Sequence, residues 1–91
     1  MPIRIQRRRT RGWKMPPNTV YVGRPTKWAS PFRIGPHMTA AQTVQAYARW
    51  LEARPSLAAD ACRELRGKNL ACWCRLDEPC HAGFLLRLVN E

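Results

Sequence analysis

Apolar residues change their spacing along this 91-residue chain, and each spacing predicts an element. Ile3 and Ile5 alternate with polar neighbours, the pattern of a short edge strand over residues 3–6. The run TVYVG at 19–23 is β-branched and aromatic and closes on glycine, a strand signal. Further on the period lengthens: Val44, Tyr47, Ala48 and Leu51 fall at i, i+3, i+4 and i+7 and form one helical stripe. Ahead of it, Thr39 and Gln42 have the spacing of a capping box. Pro55 is expected to end this helix and Ser56 to cap a second. There Ala58, Ala61, Cys62 and Leu65 repeat the stripe up to a stop at Gly67, which assigns Cys62 to the core. Residues 69–73 form a second apolar strand, and 81–89 a last helix with Phe84, Leu85, Leu88 and Val89 inward.

Strands alternating with helices predict a small single α/β domain: a short, mainly parallel sheet of about three strands with about three helices. A basic N-terminal arm over residues 1–18, containing the edge strand, precedes the α/β domain over 19–91. If TVYVG and LACWC share one sheet, the helical crossover between them makes them parallel. The loops leaving their C-terminal ends then lie along one edge, where open α/β sheets bind ligands. Topology is therefore expected to bring Arg24, Lys27 and Trp28 beside Cys74, Cys80 and His81.

Charge sharpens this picture. The net charge is +10, yet residues 1–51 hold ten Lys and Arg with no acid, while residues 52–91 hold six basic and six acidic residues. A basic half of this kind attracts polyanions, so nucleic acid or a phosphorylated small molecule is the expected partner, with an acidic protein as the alternative. Arg7, Arg8, Arg9 and Arg11 are expected to contact phosphates, Arg24 and Lys27 to hold a phosphate at the sheet edge, and Trp28 to stack on a base or ring. No apolar run approaches the roughly 18 residues of a membrane span, and MPIRIQRRR lacks the apolar stretch of a signal peptide. No membrane partner and a cytoplasmic location are expected, where the four Cys would be free thiols or metal ligands.

The densest chemistry lies in LACWCRLDEPCHAG, residues 70–83. Cys72, Cys74, Cys80 and His81 match zinc in number and donor type, although a Cys-x-x-Cys knuckle is absent. A second reading is a reactive thiol: Cys80, at a helix start beside His81, would be the nucleophile and His81 the proton carrier. In a third reading these cysteines only pack.

The segments VYVGRPTKWASPF and LRGKNLACWCRLDEPCHAGFLLRL together resemble the bacterial and phage family catalogued as domain of unknown function 4326. The resemblance covers nearly the whole chain and implies a bacterial cell or phage-infected host as its setting. It assigns Arg24, Lys27, Trp28, Pro31 and Phe32 to one motif and Cys72, Trp73, Cys74, Cys80 and His81 to the other, and it brings no activity. Members typically carry Gly-Asn before Pro-Phe and often Asp after Cys-His-Ala. This chain has Ala29-Ser30 and Gly83 instead, which removes an amide and a carboxylate from any reaction. The first expectation is thus nucleic-acid or nucleotide binding with the Cys/His cluster shaping the site around zinc. The alternatives are a thiol-dependent enzyme on a nucleotide or nucleic acid, and a phage or host protein-binding inhibitor.

Overall fold

The computed structural model describes residues 2–90. Three short strands, β1 (Arg4–Gln6), β2 (Thr19–Tyr21) and β3 (Asn69–Cys72), and three helices, α1 (Ala40–Glu52), α2 (Pro55–Glu64) and α3 (His81–Asn90), form a small α/β domain. The sheet has the order β1-β3-β2, and both pairings are parallel. Ile5, Ala71 and Tyr21 are level across it. β3 is central, and its Leu70 and Ala71 are fully buried, which is why it is the most apolar of the three strands.

The helices follow their local signals, with one correction. At the start of α1, the Gln42 amide donates to Thr39 Oγ1 (3.2 Å) and the Thr39 amide to Gln42 Oε1 (2.8 Å), closing the capping box. Ser56 does not cap α2: Pro55 is already its first residue, and the Arg54 side chain makes no capping bond. Proline fits there because its fixed φ suits the first turn and its missing N–H would have no intrahelical acceptor. Gly67, at φ +77°, makes the turn from α2 towards β3, a conformation that a Cβ would strain.

α3 packs on β3 and β1, while α1 and α2 pack on α3 and on each other. Between these layers Val22, Tyr47, Leu51, Leu65, Leu70, Leu85 and Val89 are fully buried. Cys62 is half-buried, against the core and not inside it. Trp28 belongs to this core at 4% exposure, and the buried Tyr47 hydroxyl donates to its carbonyl at 2.9 Å. The long loop after β2 is thereby pinned to α1. No helix among the described residues is long and apolar enough to cross a membrane.

Candidate ligand pocket and cysteine cluster

Alternation along β3 sends Leu70 and Cys72 to the helix side and carries Cys74 to the same side just beyond the strand. The chain then turns through exposed residues 75–79, and the Cys80 carbonyl accepts the Gly83 and Phe84 amides at 3.0 and 3.4 Å, which opens α3. The two elements meet at sulfur. The Sγ atoms of Cys72, Cys74 and Cys80 all lie within 4.8 Å of one another, with Cys72 and Cys80 2.9 Å apart. Cys72 and Cys80 are buried and Cys74 is half-buried.

His81 flanks this group. Its Nε2 donates to the Val22 carbonyl at 2.9 Å, because a carbonyl can only accept, and in the neutral ring Nδ1 then keeps the lone pair. Nδ1 lies 3.7 Å from Cys80 Sγ, while the mutual spacing of the three sulfurs is shared by no fourth His, Cys, Asp or Glu among the described residues. The imidazole ring sits 5.1 Å from that of Tyr47.

Three thiols packed this closely divide their protons unequally. Hydrogen bonds from Cys72 and Cys80 hold Cys74 well below the usual thiol range, with the Arg4 guanidinium adding favourable charge. Cys72, donating to Cys74, and Cys80, donating to both neighbours, are pushed up. Burial lowers His81 from its ordinary value and favours the neutral ring. The cluster can thus present one thiolate supported by two thiols, or three thiolates to a metal. Cys80, expected to be the nucleophile, is 5% exposed and its thiol is pushed up, whereas Cys74 is half-buried and its thiol is held low by its neighbours.

A pocket of about 420 Å³ opens beside the cluster, at the C-terminal edge of the sheet. One wall is the loop after β2, with Arg24, Ser30 and Arg33; the other is Cys74, Cys80 and His81. The expected meeting of Arg24 with the cluster is present, and its guanidinium also reaches the Ser30 carbonyl at 3.4 Å. Two expected neighbours are not in this lining. Lys27 turns its Nζ to Glu64 (2.7 Å) and Asp60 (4.0 Å), the acids of α2. Trp28 is buried in the core, and the Lys27 ammonium lies 4.7 Å from its ring centroid, so the indole has no free face to offer. Arg33, exposed in the same loop, was missed as a site residue; its position in the basic run after TVYVG was the available signal.

The arginines of the arm lie elsewhere. Arg7 stacks over Tyr21 and Trp73, 4.6 and 5.1 Å from the ring centroids, and Arg9 over Trp73 at 5.0 Å. Arg8 lines a separate cleft with Arg75 and Asp77, and Arg11 is exposed. No curated protein and no solved structure matches the chain. The family described as domain of unknown function (DUF4326) matches residues 5–91, essentially the whole chain, and the protein belongs to that family.

Proposed function

We propose that this protein binds a phosphate-bearing ligand, a nucleotide or nucleic acid, in the pocket at the C-terminal edge of its sheet, and that a zinc ion held by Cys72, Cys74, Cys80 and His81 braces the pocket wall. The observation that carries this reading is the pocket itself: two guanidiniums, Arg24 and Arg33, that form no ion pair among the described residues, across from a thiol and imidazole cluster. Its volume falls within the range of small-molecule sites. Guanidiniums recognise phosphate through paired, charge-assisted hydrogen bonds.

The donor set fits zinc. Sulfur and imidazole nitrogen at the usual zinc distances stand about 3.6 Å apart across a tetrahedron, and Cys80 Sγ and His81 Nδ1 are 3.7 Å apart. The Val22 carbonyl accepting from Nε2 supplies the outer contact that ligating histidines commonly have. A metal would draw the 2.9 Å Cys72 and Cys80 pair apart and take the protons from all three thiols.

Native mass spectrometry with elemental analysis tests the metal; one zinc per chain is expected, and protein that folds and takes up none refutes it. Titration with a nucleoside triphosphate tests the pocket. Arg24→Ser and Arg33→Ser should each weaken binding about tenfold, the scale of a lost charged hydrogen bond. Unchanged affinity in both would overturn the pocket reading.

A second reading is favoured by one observation, the half-buried Cys74 lining the same pocket, where its two cysteine neighbours hold its thiol low. A thiol-dependent enzyme would use Cys74 as its nucleophile, and metal-free protein would then show one thiol alkylated far faster than the rest. Four equal alkylation rates would exclude it.

A further inference from the structure

On the sheet face turned away from α3, Ile5, Ala71 and Tyr21 form one row, and the residues that follow each strand, Arg7 and Trp73 among them, extend it towards the C-terminal edge. The Arg7 amide donates to the Cys72 carbonyl at 2.8 Å, so the arm continues the pairing of β1 with β3 and is held beside Trp73. Trp73 is 41% exposed, large for an indole in a domain that buries Trp28 almost completely. Gly23 completes the row: a Cβ there would lie 2.5 Å from Tyr21 Oη, and its absence lets the phenol lie along the strand.

We propose that Trp73 and Tyr21, framed by Arg7 and Arg9, form a stacking platform for single-stranded nucleic acid. The proposal deepens the phosphate-binding reading by naming the polymer class, and it rests on a different surface from the pocket. Charge complementarity selects the occupant. Arg7 and Arg9 lie over the platform's rings, residues 1–51 contain no acid, and Asp77, four residues after Trp73, is paired with Arg75 at 3.0 Å. A polyanion is drawn to such a surface, and an exposed indole adds what a bare phosphate lacks, a flat partner for an unpaired base. Guanidiniums already lying over the rings can turn outward to phosphates or remain stacked as a base slides in beside them. Base pairs in a duplex keep their faces covered, so the platform discriminates against double strands.

The test uses the full chain and a fluorescently labelled oligothymidylate, followed by anisotropy, with a duplex of equal length and thymidine monophosphate as competitors. The single strand should bind at least tenfold more tightly than either competitor. Trp73→Ala should weaken it about tenfold, Trp73→Phe should restore part of the loss, and circular dichroism should remain that of the parent because the indole is exposed. Equal affinity for single strand and duplex, or a Trp73→Ala variant that binds as the parent does, overturns the platform. The pocket reading fails separately. If Arg24→Ser and Arg33→Ser leave every phosphate ligand unaffected while Trp73→Ala weakens the oligomer, the platform stands and the pocket falls. The reverse pattern removes the platform alone.

Discussion

Tyr47 does two jobs with one side chain: its ring packs against Trp50, His81 and Phe84, and its hydroxyl satisfies the buried Trp28 carbonyl. Tyr47→Phe keeps the ring and leaves that carbonyl without its donor, so urea denaturation should show a loss of about 1–3 kcal/mol. Burial also raises the phenol above its ordinary 10.0. The folded state then resists ionisation more than the unfolded one. Its contribution is fully present below pH 10 and is lost as pH rises beyond it, and that alkaline decline should be shallower in Tyr47→Phe. Lys27 is the opposite case. Its pair with Glu64 is exposed on both sides, and exposed pairs contribute little. Lys27→Ala should change stability by less than about 1 kcal/mol and leave phosphate binding unchanged, whereas Arg24→Ser should not. The basic residues of the loop after TVYVG were visible as a group in the sequence. Which of them would face the pocket was not, because that depends on the acids of α2, distant in the chain, which capture Lys27.

At the scale of elements, the caps separate what is local from what is not. Thr39 and Gln42 satisfy each other's backbone amides within four residues, so α1 carries its own start signal. Thr39→Ala should cost about 1 kcal/mol in urea denaturation. Ser56→Ala should lie within about 0.5 kcal/mol of the parent, because α2 starts at Pro55 and no side chain caps it. Equal losses in the two variants would contradict the assigned helix starts. Strands β2 and β3 were legible from their β-branched and apolar runs, and their parallel pairing followed from the helices between them. The central place of β3 was legible only in part: its apolar run fits burial on both faces, but the pairing of β1 on its far side is a long-range choice.

The whole molecule ties its sheet to its last helix at the cysteine cluster, since Cys72 ends β3 and Cys80 precedes α3. Zinc there would bind the folded chain and not the unfolded one, adding about 2.7 kcal/mol when free zinc is a hundredfold above Kd. Chelator should therefore lower the thermal midpoint of the parent, while a Cys74→Ser variant should melt at the same temperature with and without zinc. Association with single strands should weaken steeply with salt: if Arg7, Arg8, Arg9 and Arg11 each neutralise a phosphate, affinity falls about fifty-fold between about 50 and about 200 mM. A flat salt profile would exclude the arm from binding. Sequence by itself determined the α/β class, the three helices, the basic first half and the gathering of Cys74, Cys80 and His81 beside Arg24. All of these follow from periodicity, local caps and the handed, parallel geometry of strand crossovers. Tertiary structure alone decided that Trp28 is a core anchor and Trp73 an exposed one, that Cys80 is buried while Cys74 is half-buried with its thiol held low by its neighbours, and that Lys27 pairs with the acids of α2. Burial, proton sharing and ion pairing are set by neighbours that only folding brings together, and no local pattern in the chain encodes them.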